Sequence, residues 1–322
     1  MQSFAFVFPG QGSQSVGMAQ SLAASSPAAA RVFAEADSVL GVSIADLAWN
    51  GPADVLDRTE HAQPALLAAS IAYLEAIRER WEHSTDSAVE PAFAAGHSMG
   101  QYSAFVAAGV LSLADGLRLV RERGRLMQQS GSGRDGAMAA IIGLDESRLP
   151  ELVEAASVHG VFGIANRNAP GQVVVSGERA AIDAAADISK SLGARKAIVL
   201  PVSVAAHSPL MAEAADGMRA VIAEVEFGDP TIPLLANADA RVLTTGDACR
   251  RELIDHLTAG VDWVRAVESM VAAGVGTLIE VGPGRVLTGL IKRIAPDVEA
   301  VPLDDPAAPD RLADPFASPT PA

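Results

Sequence analysis

The sequence GHSMG at residues 96–100 constrains the fold more than any other part of the chain. It places Ser98 between two glycines, directly after the short apolar run at residues 91–95. This G-x-S-x-G spacing is typical of a sharp turn between a buried strand and a helix, where the serine hydroxyl is accessible. A helix beginning near Met99 would also direct free backbone N–H groups toward an anion above the serine. Because glycine-flanked serines occur in ordinary turns too, the spacing alone leaves open whether Ser98 is a nucleophile.

The apolar segments around this turn predict an α/β fold. Hydrophobic residues make up 49% of the chain and aromatic residues only 4%. Most of the apolar mass is therefore Ala, Val, Leu and Ile, which suits parallel strands covered by helices. The patterns predict strands over 4–8, 92–95, 231–235 and 277–281. They predict helices from Ser26-Pro27 onward, over 63–80, 99–108, 112–129, 208–223, 247–257 and 264–273, and in a last segment that ends at 294.

The middle of the chain has a different order of elements. Residues 134–201 read strand, helix, strand, strand, helix, strand, with a turn at 168–171, which is the order of a ferredoxin-like unit. We therefore expect this unit to be an insert in a large α/β domain formed by residues 1–133 and 202–303. The proline-rich tail at 304–322 is predicted to be disordered.

Charge and composition exclude several function classes. The net charge of −15 argues against a nucleic-acid partner, because phosphate binding needs basic density. No apolar run approaches the roughly 18 residues of a membrane-spanning helix, and the first residues lack the basic segment of a signal peptide. The single cysteine, Cys249, excludes an internal disulfide and a cysteine-based zinc site. We expect a cytoplasmic monomer with no metal, no cofactor and no membrane partner.

A serine nucleophile needs a base, and the chain has six histidines. His97 is a poor candidate, because neighbouring side chains diverge on a tight turn. His207 follows an apolar strand and precedes the helix start at Ser208-Pro209, so it belongs at the rim of the sheet where α/β active sites form. It could equally be a histidine that caps a loop, and no acidic residue is evidently placed to orient it.

Taken together, seven motifs resemble the malonyl-CoA:acyl-carrier-protein transacylases, the acyltransferases of fatty-acid and polyketide synthesis. They occur in the family's order, cover residues 3–294 and read FPGQGSQ at 8–14, QPAL at 63–66, GHSMG at 96–100, RG at 123–124, NRNAPGQ at 166–172, VSVAAH at 202–207 and EVGPG at 280–284. The resemblance implies an α/β-hydrolase-like large domain with an inserted ferredoxin-like small subdomain. It also implies transfer of malonyl from malonyl-CoA to the phosphopantetheine thiol of acyl carrier protein, through a malonyl-serine intermediate and without a cofactor.

The resemblance also implies residue roles. Ser98 would be the nucleophile, His207 the base, and the backbone N–H groups of Gln11 and Met99 the oxyanion hole. Arg123 would hold the malonyl carboxylate, which guanidinium grips with two parallel hydrogen bonds. Its neighbours Arg121 and Arg125 would point elsewhere, and all three could also form a solvated helix face. The other substrate-binding residues implied are Gln63, Asn166 and Asn168.

The chain departs from the family pattern at two positions. Gln101 stands where the family usually has glutamate, a change that we expect to be tolerated. His256 stands where the family usually has glutamine or asparagine, and we expect its backbone carbonyl to orient His207. The small residues at 204–206 leave room in the acyl pocket, so a methyl-branched malonyl group is a further possible substrate.

Two other functions remain open from the sequence. An α/β-hydrolase-type thioesterase or esterase would use the same serine turn, although it also needs an orienting acid. A non-catalytic subunit would only dock carrier protein. The transferase hypothesis makes a further prediction, because CoA and carrier protein are both anionic. It predicts a basic surface around the site of this acidic chain, formed by Lys190, Arg195, Lys196, Lys292 and Arg293.

Overall fold

The computed structural model describes residues 3–84, 90–131, 135–202 and 204–304. Within these ranges no helix is long and apolar enough to cross a membrane. The predicted disordered tail lies outside the described residues, apart from Asp304.

The first sheet has six strands in the order β11-β10-β1-β2-β7-β8. In chain order these are β1 (Ser3–Phe8), β2 (Phe93–Gly96), β7 (Leu234–Leu235), β8 (Val242–Leu243), β10 (Val275–Glu280) and β11 (Glu299–Pro302). All pairs are parallel except β7 with β8. Phe8 is in register with Gly96, so the segments that follow β1 and β2 leave the sheet side by side. This edge carries the Ser98 turn.

Helices cover both faces of the first sheet. They are α1 (Gln20–Ser25), α2 (Pro27–Leu40), α3 (Ile44–Asn50), α4 (Ala53–Leu56), α5 (Thr59–Ser84), α6 (Gly100–Ala107), α7 (Leu113–Gly131), α10 (Ala212–Ala223), α11 (Gly246–Asp255), α12 (Trp263–Ala272) and α13 (Val286–Ile294). Strand β1 shows the two faces, because alternate residues point to opposite sides. Phe4, Phe6 and Phe8 belong to the larger core, whereas Ala5 and Val7 belong to the core on the other side.

The second sheet has five strands in the order β6-β3-β5-β4-β9. They are β3 (Gly136–Ile142), β4 (Phe162–Ala169), β5 (Gln172–Glu178), β6 (Lys196–Val199) and β9 (Val261–Asp262), with helices α8 (Leu149–Ser157) and α9 (Arg179–Ser191). Strands β3 to β6 with these two helices confirm the predicted ferredoxin-like order. The fold is therefore an α/β-hydrolase-like domain with an inserted ferredoxin-like subdomain. The exact domain boundaries stay a prediction.

The structure differs from the sequence prediction in several elements. The predicted strand 231–235 shrinks to β7, because Pro233 has no N–H for the sheet. The predicted turn at 168–171 is tighter: Ala169 pairs with Gln172, and Gly171 has a φ of 67°, so Asn168 lies in strand β4. Sequence patterns also missed the short elements, which are α1, α3, α4, β8, β9 and β11.

Helix starts follow their local sequence signals. The Ser26 side chain accepts a hydrogen bond from the Ala29 N–H, and Pro27 occupies the first turn of α2, as predicted. The Ser208 side chain likewise accepts from the Leu210 N–H at the short 3₁₀ turn Pro209–Met211, which precedes α10. The second cap fixes the chain direction directly after His207.

Gly124 lets helix α7 approach the start of α5, and this contact gives a first testable prediction. A Cβ at Gly124 would lie 2.6 Å from the Thr59 carbonyl oxygen and 2.7 Å from the Glu60 Cα. Because both atoms belong to the backbone, we expect Gly124→Ala to lower the free energy of unfolding by about 1–3 kcal/mol. Urea denaturation measures this change.

Gly289 offers the matched control, since it lies in helix α13 and a Cβ there would meet nothing within 4 Å. Gly289→Ala is expected to raise the free energy of unfolding by about 0.5–1 kcal/mol, through the lower backbone entropy of the unfolded chain. If Gly124→Ala and Gly289→Ala both raised or both lowered the free energy of unfolding, the close contact between α7 and α5 would not explain the effect of Gly124→Ala.

Candidate active site

The turn that carries Ser98 is built from close backbone contacts. Strand β2 ends at Gly96 and helix α6 begins at Gly100. A Cβ at Gly96 would lie 2.0 Å from the Gly100 carbonyl carbon, and a Cβ at Gly100 would lie 2.2 Å from the Phe8 carbonyl oxygen. Ser98 itself has a left-handed backbone, with a φ of 52°. Both glycines are therefore needed for this turn, which is the geometry that the sequence pattern predicts.

The side chains of Ser98 and His207 are in hydrogen-bond contact, although 108 residues separate them in the chain. Ser98 Oγ lies 2.8 Å from His207 Nε2. His207 Nδ1 lies 2.8 Å from the Ala259 carbonyl oxygen and 3.1 Å from the His256 carbonyl oxygen. Since carbonyl oxygens only accept, Nδ1 carries the ring hydrogen and Nε2 accepts from the serine hydroxyl. The imidazole is thus oriented as a proton acceptor by two backbone carbonyls.

The surroundings keep the His207 ring neutral. Burial lowers the pKa of His207 to about 3, and the neighbouring positive charge of Arg123 acts in the same direction. Burial also lowers the pKa values of His97 and His256. Among the described residues, no carboxylate hydrogen-bonds the His207 ring, so the backbone carbonyls take the place of the acid that orients the base in a Ser-His-Asp triad.

Arg123 faces the same site from helix α7. Its side chain is 1% exposed, and its Nη2 donates to Ser98 Oγ over 3.2 Å. The guanidinium carbon lies 5.8 Å from the centre of the Tyr102 ring. No carboxylate in the described part of the chain pairs with Arg123, and its Nε has no hydrogen-bond partner there. Arg125, by contrast, is exposed and pairs with Glu122. Arg123 is therefore a buried cation that can receive an anion.

Two of the other predicted substrate-binding residues, Gln63 and Asn166, have a buried polar atom without a partner in the described residues. Gln63 is fully buried; its Nε2 lies 3.5 Å from the sulfur of Met127, one turn after Arg123 in α7, and its Oε1 has no partner. Asn166 Oδ1 is also buried without a partner. Asn168 Oδ1 lies 2.8 Å from His97 Nε2, which ties strand β4 to the Ser98 turn. Their contacts with a substrate stay a prediction.

The two predicted oxyanion-hole residues flank the turn. Met99 is buried and directly precedes helix α6. The Gln11 side chain donates to Thr59 Oγ1 over 3.3 Å and so anchors the loop after β1. Neither backbone N–H makes a hydrogen bond with another described residue, so both remain available to an oxyanion.

The His256 side chain packs beside the base. It is 1% exposed, and its ring centre lies 5.6 Å from that of His207 and 5.9 Å from that of Tyr102. Neither ring nitrogen has a partner in the described residues. The side chain therefore fills space, while the His256 carbonyl makes the contact with His207 that the sequence hypothesis requires.

Sequence reasoning missed Asn237, whose Oδ1 accepts the Ser98 backbone N–H over 2.9 Å. The one available signal was its place two residues after the buried strand β7, at the sheet edge where β1 and β2 end. No group of three or more histidine, cysteine or carboxylate side chains among the described residues could hold a metal ion.

The low pKa of His207 gives a second testable prediction. A histidine with its ordinary pKa near 6.5 would become charged between pH 7 and 6, whereas His207, with a pKa of about 3, stays neutral at pH 5. We therefore expect the rate constant for reaction of the Ser98 hydroxyl with an electrophile to vary by less than about twofold between pH 5 and 8, and to fall as the pH approaches 3. Rapid-quench measurements across this range test it, and an inflection near pH 6.5 would contradict it. Circular dichroism at each pH controls for acid unfolding.

Comparison with known proteins agrees with this geometry. The family model described as the acyl transferase domain matches residues 5–303. The malonyl CoA-acyl carrier protein transacylase of Escherichia coli (strain K12) is 46% identical over 308 residues, which cover 96% of this chain and 98% of the relative.

Two solved structures show the same fold. An acyl carrier protein S-malonyltransferase from Vibrio cholerae has a TM-score of 0.91 at 44% identity and covers 96% of this chain and 99% of its own. The malonyl-transacylase solved in complex with its holo type II PKS acyl-carrier protein has a TM-score of 0.91 at 42% identity. The match covers 97% of this chain and 99% of that one. The chain thus belongs to the acyl transferase domain family, among the malonyl CoA-acyl carrier protein transacylases.

Proposed function

We propose that the chain transfers a malonyl group from malonyl-CoA to the phosphopantetheine thiol of acyl carrier protein, with Ser98 as the acylated residue. The names of the relatives support this substrate pair. The observation that carries it is the position of the Ser98 hydroxyl between a neutral imidazole at 2.8 Å and an unpaired, buried guanidinium at 3.2 Å. A hydroxyl with a base beside it can attack a thioester, and the guanidinium can hold the carboxylate that distinguishes malonyl from acetyl.

The first half-reaction acylates the serine. Ser98 Oγ forms a bond to the thioester carbon while its proton moves to His207 Nε2. The carbonyl oxygen becomes an oxyanion, held by the backbone N–H groups of Gln11 and Met99. The carbon–sulfur bond then breaks, CoA leaves as a thiol with the proton from His207, and malonyl-Ser98 remains.

The second half-reaction reverses these steps with a different thiol. The phosphopantetheine thiol gives its proton to His207 as its sulfur attacks the malonyl-serine carbonyl. The carbon–oxygen bond breaks, and Ser98 Oγ regains a proton from His207. Because the two thiols use the site in turn, the kinetics are ping-pong.

In this proposal Gln63 lies beside the malonyl group, Asn166 and Asn168 lie along the pantetheine arm, and the His256 carbonyl supports the base.

The predicted basic surface receives partial support from two arginines at the hairpin between β4 and β5. Arg293 donates to the Pro170 carbonyl oxygen over 3.1 Å and also contacts the Gln172 side chain. Arg195 packs against Gly143, whose N–H donates to the Gly171 carbonyl oxygen over 2.7 Å. Both arginines are exposed, as are Lys190, Lys196 and Lys292. In this proposal these cations offset the net charge of −15 where anionic CoA and carrier protein approach.

The hydrolase alternative is not favoured, because the relatives are transacylases and no carboxylate in the described residues orients the His207 ring. A docking-only role does not explain a hydroxyl in contact with a neutral base.

Intact-protein mass spectrometry tests the proposal. We expect incubation with malonyl-CoA to add one malonyl group, which later addition of holo acyl carrier protein removes and transfers. Parallel incubations with methylmalonyl-CoA and acetyl-CoA define the acyl selectivity, and the small residues at 204–206 favour partial labelling by methylmalonyl. Rapid hydrolysis of the acyl-enzyme without transfer would support the hydrolase instead.

A further inference from the structure

Asn237 is buried directly beneath the Ser98 turn, and nothing in the proposed reaction uses it. Its side chain is 5% exposed and follows strand β7. Its Oδ1 accepts the Ser98 backbone N–H over 2.9 Å. Its Nδ2 donates to the Gly96 carbonyl oxygen over 2.9 Å and to Gln101 Oε1 over 2.6 Å. One amide side chain thus contacts the residues before, at and after the nucleophile.

The hydrogen-bond partners fix the orientation of this amide. The Ser98 N–H can only donate and the Gly96 carbonyl can only accept, so the Asn237 oxygen must face Ser98 and its nitrogen must face Gly96. Gln101 is oriented in the same way, because its Nε2 donates to the Leu235 carbonyl oxygen over 2.9 Å. An ionised glutamate at 101 has no hydrogen for that carbonyl, whereas glutamine satisfies both contacts.

The Asn237 backbone is anchored as well. Its N–H donates to Glu252 Oε1 over 2.8 Å, and its carbonyl oxygen accepts from the Asp262 N–H over 2.7 Å. The other Glu252 oxygen pairs with Arg241 over 3.0 Å. Because every polar group of Asn237 is hydrogen-bonded, the residue can act as a fixed support for the turn above it.

The Ser98 backbone needs such a support. A left-handed conformation is unfavourable for a residue with a side chain, and the surrounding structure must hold it. The Asn237 contact also takes up the Ser98 N–H, so that the next N–H along the chain, that of Met99, is the one left free at the turn.

We propose that Asn237 is a positioning residue for Ser98: through the Ser98 N–H and the Gly96 carbonyl it holds the nucleophile in its left-handed conformation, with Gln101 acting through Asn237. This inference rests on the proposed function for its acyl substrate. It concerns the reactivity of the hydroxyl and not the binding of malonyl-CoA, because Asn237 contacts the backbone of the turn and not Arg123.

Asn237→Ala tests the proposal by rapid-quench kinetics at varied malonyl-CoA concentration. We expect the maximal acylation rate constant to fall about 100-fold, as for other small misplacements of a reacting group, while the apparent Kd for malonyl-CoA changes less than twofold. Gln101→Ala should lower the rate constant less and add nothing in the Asn237→Ala background. A folded Asn237→Ala protein with a rate constant within threefold of the parent would overturn the proposal.

Thr288→Val is the matched control for a general loss of stability. Thr288 is also buried, and its hydroxyl donates to Glu280 Oε2 over 2.7 Å in helix α13. We expect this variant to lose thermal stability but to keep the parent acylation rate constant.

If Asn237→Ala does not fold, Asn237→Asp replaces it. Aspartate retains the acceptor for the Ser98 N–H but loses the donors to Gly96 and Gln101, so we expect the acylation rate constant to fall about tenfold. A rate constant equal to that of the parent would overturn the proposal.

A second readout separates this proposal from the proposed function. Phenylmethylsulfonyl fluoride reacts with an activated serine whatever the natural acyl donor is. If the parent protein took no malonyl, the proposed function would fail, and the sulfonylation rate of Ser98 would still be expected to fall in Asn237→Ala. If malonyl labelling of the parent were normal and neither rate changed in the variant, only the positioning role would fail.

Discussion

Replacing Ser98 with alanine is expected to abolish malonyl labelling and to lower transfer to acyl carrier protein by about 10⁴-fold or more. The substitution removes the hydroxyl that contacts both His207 and Arg123. Without it no acyl-enzyme can form, and any remaining reaction must be direct attack by a thiol or by water. Intact mass spectrometry after incubation with malonyl-CoA measures the first effect, and a carrier-protein transfer assay measures the second.

Ser103→Ala provides the control for this prediction. Ser103 lies on helix α6 and is fully buried, whereas Ser98 is partly exposed, and the Ser103 hydroxyl has no hydrogen-bond partner in the described residues. We expect full labelling of this variant and a transfer rate near that of the parent. Stoichiometric malonyl labelling of folded Ser98→Ala protein would mean that another residue is the nucleophile, and the proposed mechanism would be wrong.

Replacing Arg123 with methionine is expected to lower the preference for malonyl-CoA over acetyl-CoA, measured as the ratio of their kcat/KM values, by at least about 30-fold. Methionine is nearly as long as arginine but carries no charge, so it fills the space without leaving a buried cation unpaired. Loss of one partner from a buried, hydrogen-bonded charge pair costs about 2–5 kcal/mol, which corresponds to roughly 30-fold to several thousandfold. The kcat/KM for malonyl-CoA should fall by this factor, because its carboxylate loses the guanidinium. The kcat/KM for acetyl-CoA should not fall in this way, because acetyl has no carboxylate.

Arg125→Met is the matched control, because Arg125 is exposed on the same helix and pairs with Glu122. Its removal should leave the malonyl-to-acetyl ratio within about twofold of the parent value. An unchanged ratio in folded Arg123→Met protein would show that the guanidinium beside Ser98 does not bind the carboxylate, and the selectivity would then need another source.

The sequence predicted those parts of the fold whose cause is local. The glycines at 96 and 100 are needed for the serine turn, and Ser26-Pro27 begins helix α2, because each effect acts within a few residues. The ferredoxin-like order was also readable, since its strands are long enough to show a pattern. Two-residue strands such as β9 carry no pattern of their own and form only because β4 lies beside them.

The candidate site divides in the same way. Ser98, His207 and Arg123 were found because they lie in motifs, and the resemblance to the family brought those motifs together. Asn237 lies in a segment with no such motif, and its function depends on contacts with residues 136 to 141 positions away. Only the folded structure reveals such contacts, because hydrogen-bond partners this distant leave no periodic signal in the chain.

Strand β9 has a mechanical consequence for how a substrate enters. Val261–Asp262 lies between helices α11 and α12 of the large domain, yet it pairs with Asn166 and Arg167 in the small subdomain's sheet. The same Asp262 N–H donates to the Asn237 carbonyl oxygen beneath the serine. Moving the small subdomain away from the large domain at this end would break the pairing of β4 with β9. Strand β9 is also hydrogen-bonded to Asn237 below the Ser98 turn, so such a movement would disturb the turn. Entry of a long, thin acyl arm between fixed walls requires no such rupture.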